Sequence, residues 1–161
     1  PVPSEGIAHP REPPPAPPHG QRLRIGPQRI HGRRRGSAAA HRLERLAAIF
    51  AEHGKDIACV FMEPVLENIG IVVPDEGYLA GVRAQCDANG SLLVFDEVKT
   101  GLTAGYAGAS QRLGVTPDLV ALAKGLTGGY LPLGATLIRE EIFQSYRGPV
   151  ERTFYHGHIA K

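Results

Sequence analysis

Three residues with reactive side chains stand at the ends of short apolar runs. Glu63 follows the run IACVFM, Asp96 follows SLLVF, and Lys124 follows DLVALA directly. A lysine between an apolar run and a glycine-rich turn is partly removed from water, which favours its neutral form, and a neutral amine attacks aldehydes. Asp96 taken alone also fits an acid that ends a strand or caps a helix. The sequence therefore predicts carbonyl chemistry at Lys124, with Asp96 as its candidate partner.

Asp96 and Lys124 together suggest a site for pyridoxal phosphate. This cofactor needs a lysine that forms a Schiff base with its aldehyde. It also needs an acid that keeps its pyridine nitrogen protonated, so that the ring accepts electrons. The two residues stand at the ends of consecutive apolar runs. One cofactor can reach both if these runs form neighbouring strands.

The spacing of apolar residues predicts helices and strands in alternation. Helices are predicted over 41–54, 74–90, 108–114 and 139–146. Buried strands are predicted over 57–62, 91–96, 118–123 and 134–138. In the second helix, Asp75 and Glu76 are expected in the first turn, where negative charge is favourable. This order is typical of an α/β fold with a largely parallel sheet, in which ligands bind outside the carboxyl ends of the strands.

The composition of the 161 residues differs between two parts of the chain. Residues 1–40 hold nine of the 14 prolines and seven arginines against two acids, and such a segment buries too little apolar surface to offset the entropy of ordering. We expect a disordered Pro/Arg-rich segment over 1–40 and a partial cofactor-binding domain over 41–161. A basic arm can bind nucleic acid through phosphates, but this one contains no aromatic residue. We therefore favour a linker and expect no nucleic-acid partner.

Other features narrow the class of protein. No apolar run approaches the roughly 18 residues of a membrane span, and the first residues lack the apolar core of a signal peptide, so we expect a cytoplasmic protein without a membrane partner. Cys59 and Cys86 form no CxxC pair and indicate structural thiols in a reducing compartment. His156 and His158 have no third ligand nearby, so we expect no metal site. The chain begins with Pro1 rather than methionine, and we expect a piece of a longer protein.

A family resemblance is carried by four segments, which are MEPVLENIGIVVPDEGYL, LLVFDEVKTG, RLGVTPDLVALAKGLTGGYLPLGA and TFYHGH. Together they resemble the class-III pyridoxal-phosphate-dependent aminotransferases over about residues 41–158. The resemblance implies the central part of a fold type I large domain, an α/β structure with a mostly parallel sheet flanked by helices, in a homodimer. It implies transfer of an amino group from a small-molecule donor to a keto acid or aldehyde. Because NIGIVVP also resembles the aminomutase branch, an aminomutase and an inactive fragment with a basic arm remain alternatives.

The resemblance implies a role for each candidate residue. Lys124 corresponds to the lysine that binds the cofactor as a Schiff base and then moves a proton, and Asp96 to the partner of the pyridine nitrogen. Val98 is similar to the apolar residue that packs on the cofactor ring. Glu63 and Asn68 correspond to residues that line the cofactor and substrate side.

Two parts of the chain depart from the family pattern. Ile159 stands where relatives carry a threonine that reaches the cofactor phosphate of the neighbouring subunit, and residues 10–40 do not resemble the family. We interpret residues 10–40 and 159–161 as out-of-frame translation of a GC-rich gene. An incomplete chain of this kind is expected to have little activity alone, and its residues do not identify the amino donor or acceptor.

Overall fold

The computed structural model describes residues 35–147. In chain order the helices and strands are α1 (Arg35–His53), β1 (Cys59–Met62), α2 (Tyr78–Asn89), β2 (Leu92–Asp96), α3 (Gly108–Leu113), β3 (Leu119–Leu122), β4 (Ala135–Ile138) and α4 (Glu140–Gln144). Short 3-10 turns lie at Gly54–Asp56 and Lys124–Leu126. The predicted order of helices and strands is confirmed. Residues 35–40, which were expected in the Pro/Arg-rich segment, lie in α1, and the rest of that segment falls outside the described residues.

The four strands form one sheet in the order β1-β2-β3-β4. The first three strands run parallel and β4 runs antiparallel to β3, which confirms the prediction of a largely parallel sheet. In the register, Met62 pairs with Phe95 and Asp96 pairs with Ala121. The carboxyl ends of β1, β2 and β3 therefore lie at one edge of the sheet.

The core lies between one face of the sheet and the helices. Leu93 and Phe95 of β2 are fully buried in a cluster with side chains of α1 and α2, among them Phe50, Leu79, Val82 and Cys86. Because successive side chains of a strand point to opposite faces, Val94 and Asp96 lie on the other face. Asp96 therefore stands on the face away from α1 and α2.

Strand β1 differs from its prediction as a buried strand. Phe61 is 60% exposed and Cys59 is also exposed, whereas Val60 and Met62 pack against the core. The physical reason is that β1 is an edge strand of which, within the described part of the chain, only one face is covered. The expectation of two structural thiols is thus wrong for Cys59. It holds for Cys86, which is fully buried and whose pKa is raised by that burial.

The start of α2 is also later than predicted. Gly77 has a φ of +79°, and the N–H of Tyr78 donates to the carbonyl of Asp75 in a turn before the helix begins. Asp75 and Glu76 therefore precede α2 and do not occupy its first turn, because the left-handed glycine separates them from the helix. The predicted end is confirmed, since Gly90 follows the last helical residue with a φ of +67°.

Candidate functional site

The candidate residues meet at the carboxyl edge of the three parallel strands. Glu63 follows β1, Asp96 is the last residue of β2, and Lys124 comes two positions after the end of β3. Asp96 is paired with Ala121, and three residues of extended chain advance about 10 Å. Asp96 ends β2 and Lys124 lies in the turn after the neighbouring strand β3, so one small ligand and two side chains can span the distance between them.

The Asp96 carboxylate is half-buried, and only one of its two oxygens accepts a hydrogen bond from the described residues. Its Oδ1 accepts a hydrogen bond from the backbone N–H of Val98 at 3.0 Å. This turn places the half-buried Val98 side chain just beyond the carboxylate. Within residues 38–147 no other donor reaches Asp96, so its Oδ2 is open to a ligand. The structure thus places the Val98 backbone against the Asp96 carboxylate at the end of β2.

The Lys124 side chain is exposed, so the prediction that it is partly removed from water is wrong. The physical reason is that its turn extends past the end of β3, where no described residue covers the Lys124 side chain. Tyr130, in the same glycine-rich stretch, is likewise 92% exposed. The Lys124 ammonium makes no ion pair with the described residues. A primary amine is therefore free at the sheet edge.

Lys124 also carries backbone strain. Its φ is +39°, and Leu102 in the loop after β2 has a φ of +67°. A non-glycine residue in this region costs about 1 kcal/mol or more and persists only where surrounding contacts hold it. Such outliers cluster at functional sites. Two of them on adjoining loops support the interpretation of this edge as a site.

The loop after β2 packs tightly against the turn that carries Lys124. A Cβ added at Gly125 would lie 3.2 Å from the carbonyl oxygen of Gly101 and 3.8 Å from the Cβ of Leu102. A Cβ at Gly101 would itself lie 2.7 Å from the carbonyl oxygen of Glu97. Glycine is required at Gly101 because backbone atoms leave no room there. The two loops that hold Asp96 and Lys124 are therefore in direct backbone contact.

Glu63 and Asn68 belong to the loop after β1. The Glu63 carboxylate accepts a hydrogen bond from the N–H of Glu67 at 3.3 Å, and Asn68 is exposed. The loop is closed by two backbone hydrogen bonds between Leu66 and Val72, while Glu67 pairs with Lys99 at 3.8 Å. This ion pair joins the loop to the one after β2. In the described residues neither Glu63 nor Asn68 forms a hydrogen bond or an ion pair with Asp96 or Lys124.

Two buried acids were not identified as site residues from the sequence. Glu97 is 1% exposed and accepts hydrogen bonds from the N–H groups of Ala109 and Ser110 at the start of α3, at 2.5 and 2.9 Å. The sequence carried one signal for the burial of Glu97. In the alternation of the strand it comes two positions after the core residue Phe95, so its side chain is expected on the same, buried face. An acid there must be satisfied inside the fold.

Asp118 is the second buried acid and is 6% exposed. It accepts hydrogen bonds from the N–H of Leu93 at 2.7 Å and from the guanidinium groups of Arg83 and Arg139 at 2.6 and 3.0 Å. Burial alone would raise the pKa of Asp118, but these donors outweigh burial and hold the pKa below its ordinary value. Asp118 therefore joins β2, α2 and the residue before α4 to the amino end of β3.

The site is an open edge rather than a cavity. Two shallow depressions in the described part of the chain lie elsewhere, one beside Gly54 at the end of α1 and one between residues 74–80 and 112–115. Over residues 35–147 there is no group of three or more acids, histidines or cysteines arranged to hold a metal ion. In the same range, every helix is too short or too polar to cross a membrane.

Comparisons with known proteins identify a family, relatives and solved structures that resemble this chain. The family described as Aminotransferase class-III matches residues 8–159. The match begins earlier than the predicted residue 41, which counts against the interpretation of residues 10–40 as out-of-frame translation. Its last stretch, with His156, His158 and Ile159, lies outside the described residues.

Two curated relatives show how similar this chain is to known proteins in sequence. A glutamate-1-semialdehyde 2,1-aminomutase of Nitratidesulfovibrio vulgaris (strain DP4) is 51% identical over 96 residues, which are 60% of this chain and 22% of that protein. An adenosylmethionine-8-amino-7-oxononanoate aminotransferase of Nitratidesulfovibrio vulgaris (strain Hildenborough) is 42% identical over 127 residues, which are 76% of this chain and 23% of that protein. The chain thus spans about a quarter of the length of the curated relatives it matches.

Two solved structures show the same fold. A thermostable (S)-enantioselective omega-transaminase from Thermomicrobium roseum has a TM-score of 0.69 and 37% identity, and the match covers 76% of this chain and 28% of that one. An amine transaminase from an uncultivated Pseudomonas species, in its PLP-bound form, has a TM-score of 0.65 and 39% identity, with 69% and 26% covered. These structures confirm the predicted fold class, an α/β part of a PLP-dependent transferase.

Proposed function

We propose, on the premise that this chain belongs to the class-III aminotransferase family, that it is part of an enzyme that transfers amino groups with pyridoxal phosphate. The observation that carries the proposal is the placement of a carboxylate and a free primary amine at the ends of neighbouring parallel strands. Asp96 and Lys124 supply these two groups. Transamination of a small-molecule amino donor to a keto acid or aldehyde acceptor is the reaction we infer.

The donor set fits the cofactor. When bound, pyridoxal phosphate supplies an aldehyde and a ring that accepts electrons. The open Oδ2 of Asp96 would hold the protonated pyridine nitrogen, while Oδ1 stays fixed by the N–H of Val98. The Val98 side chain, placed just beyond this carboxylate, would pack on the ring. These residues would orient the cofactor without any movement of β2.

Lys124 would attach the cofactor and move protons. Its Nζ has no ion-pair partner in the described residues, and as a neutral amine it would bond to the aldehyde carbon as water leaves. When the amino donor takes its place, Nζ would be released and would carry a proton from the donor carbon to the former aldehyde carbon. Burial by further structure would favour the neutral amine that this step needs.

The loop after β1 would complete the substrate side. We infer that Glu63 and the exposed Asn68 line the cofactor and substrate, since their loop is joined to the loop after β2 by the ion pair of Lys99 and Glu67. The choice of amino donor and acceptor would then rest on this loop and on segments beyond the described residues.

We also infer a homodimer in the cytoplasm. The glycine-rich stretch after Lys124 exposes Tyr130, Leu131 and Leu133, and apolar side chains grouped at a surface favour a protein partner. A second subunit over this stretch would remove Lys124 from water. Both cysteines of the chain are free, as expected in a reducing compartment. The chain from Arg35, where α1 begins, would be a partial large domain that follows a separate Pro/Arg-rich segment.

The proposal is tested by titrating the chain with pyridoxal 5'-phosphate and recording its visible absorbance. We expect a new band that is absent in a Lys124→Ala variant and retained in Lys55→Ala, a matched exposed lysine at the opposite end of the sheet. Borohydride reduction followed by peptide mass analysis should place the cofactor on Lys124. Attachment to Lys55 or Lys99 instead, or no band at any concentration, would contradict the proposal and favour an inactive fragment.

A PLP-dependent aminomutase is the second candidate function. The observation in its favour is the 51% identity to a glutamate-1-semialdehyde 2,1-aminomutase. The two reactions differ in their need for an acceptor, because an aminomutase shifts the amino group within one molecule. Products are therefore measured with and without a 2-keto acid. An amino shift that persists without keto acid would favour the aminomutase, and dependence on keto acid would favour the aminotransferase.

A further inference from the structure

Glu97 is a buried acid that the proposed reaction does not use. It is 1% exposed and directly follows Asp96 in the chain. We propose that Glu97 is a positioning residue, which holds the loop after β2 against the turn of Lys124 and so sets the relative position of Asp96 and Lys124. This role of Glu97 rests on the proposed function, but the effect of Glu97 on the loop and on the turn can be measured without the cofactor.

The first step of the argument concerns the end of β2. The backbone N–H of Glu97 donates to the carbonyl of Ala121 at 3.0 Å, which extends the pairing of β2 with β3 one residue past Asp96. Strand alternation places the Glu97 side chain on the face opposite the Asp96 side chain. The residue therefore holds the backbone at Asp96 without competing for the ligand.

The second step concerns the Glu97 carboxylate. Its Oε2 accepts from the hydroxyl of Thr100 at 3.1 Å and from the N–H of Ala109 at 2.5 Å, while Oε1 accepts from the N–H of Ser110 at 2.9 Å. A Cβ at Gly108 would overlap this carboxylate, so the chain approaches it as closely as glycine permits. One side chain thus ties the start of the loop, at Thr100, to its end at α3.

The third step leads from the loop to Lys124. The N–H of Gly101 donates to the carbonyl of Glu97 at 2.7 Å. The carbonyl oxygen of Gly101 in turn lies 3.2 Å from the Cβ position of Gly125, and Thr103 lies 3.8 Å from it. Residues 101–103 therefore pack against the turn of Lys124. If the Glu97 carboxylate no longer holds the loop after β2, the turn loses this packing.

The test uses Glu97→Gln in the full chain, with Glu44→Gln as the matched control at an exposed site on α1. Glutamine has one acceptor oxygen, so its NH₂ group faces a backbone or hydroxyl donor whichever way the amide is turned. The amides of Leu126, Thr127 and Gly128 are hydrogen-bonded within the Lys124 turn and report on it by hydrogen exchange. Urea unfolding of each variant measures global stability separately.

We expect these three amides to exchange about tenfold faster in Glu97→Gln, beyond any change in global unfolding, because a charge-assisted hydrogen bond is lost. The affinity for pyridoxal 5'-phosphate should fall by a similar factor, and the pH at which its absorbance changes should shift. Unchanged exchange in the turn at unchanged global stability would overturn the inference. If the wild type binds no pyridoxal 5'-phosphate, the proposed function fails while hydrogen exchange still decides the role of Glu97.

A second variant keeps the test valid if Glu97→Gln does not fold. Thr100→Val removes only one hydroxyl donor to the carboxylate at a site that is 1% exposed, and it preserves the shape of the side chain. Faster exchange at Leu126 to Gly128 in this variant would support the inference. Faster exchange confined to α3 would show that Glu97 caps that helix only, and would overturn it.

Discussion

The carboxylate of Asp118 is predicted to be the main electrostatic support of the strands that carry the site. Its Oδ2 accepts from the N–H of Leu93 and from Arg83, and its Oδ1 accepts from Arg139. In Asp118→Asn only one oxygen remains, so the amide NH₂ meets a donor and at least one of these hydrogen bonds is lost. The perturbation leaves the volume of the side chain unchanged.

The magnitude follows from the burial of the partners. Arg83 is largely buried and Arg139 is half-exposed, with 17% and 52% of their side chains accessible. Breaking a buried pair costs about 3 to 5 kcal/mol, whereas a surface pair contributes about 1 kcal/mol or less. Arg83 keeps a second partner in the exposed Asp87 at 2.6 Å, so the lower value applies. We expect Asp118→Asn to reduce the free energy of unfolding by about 3 kcal/mol at pH 7.

The pH dependence of this difference has a definite sign. The pKa of Asp118 is held below its ordinary value of 3.8 in the folded chain. The stabilisation is therefore complete above the unfolded pKa and is lost as the pH falls through the folded one. The difference in the free energy of unfolding between wild type and Asp118→Asn should stay constant from pH 7 to about 5. It should become smaller below about pH 4.

The assay is urea unfolding followed by circular dichroism between pH 3 and 7. Asp87→Asn is the matched control, because it contacts the same Arg83 from an exposed position, and it should cost about 1 kcal/mol or less. A loss in Asp118→Asn no larger than in Asp87→Asn would refute the reasoning. If the difference in the free energy of unfolding does not become smaller in acid, the charge of the Asp118 carboxylate is not the source of the stabilisation.

Three other outcomes are expected. Asp96→Asn should leave the free energy of unfolding within about 1 kcal/mol of wild type while weakening pyridoxal 5'-phosphate binding at least about tenfold in a spectrophotometric titration, since a neutral amide does not keep the pyridine nitrogen protonated. Gly101→Ala should destabilise the chain by about 1 to 3 kcal/mol in urea unfolding, because its Cβ would meet Leu122 and the Glu97 carbonyl; no loss would contradict the tight loop contact. A thiol reagent should label Cys59 in the folded chain and Cys86 only after unfolding, because burial raises the pKa of Cys86; equal labelling rates would contradict the described burial.

The order of apolar residues in the sequence predicts much of the fold. Continuous apolar runs predict β1 to β4, and the three-and-four spacing predicts α1, because these periods match the two backbone geometries. The placement of Asp96 and Lys124 at strand ends follows from that order. The start of α2 was predicted too early, since the φ of Gly77 depends on the turn around it and not on residue type alone.

Burial is the property that local pattern predicts least well. Cys59 and Phe61 lie in an apolar run and yet are exposed, because β1 is the edge of the sheet. Lys124 follows a run of the same kind and is exposed because its turn projects past β3. Whether an apolar or reactive side chain is covered depends on which distant segment packs against it, and single-strand patterns carry no information about that segment.

The sequence by itself determined the kind of chemistry and the succession of helices and strands, because residue types set the available functional groups and apolar periodicity sets local backbone geometry. Only the tertiary structure decided how these groups are supported. Glu97 binds Ala109 and Ser110 twelve and thirteen positions away, and Asp118 binds Leu93 and Arg83 at separations of 25 and 35. Hydrogen bonds of this range form only after β2, β3 and the helices have packed, which is why the sequence does not single out these two acids as buried and hydrogen-bonded within the fold.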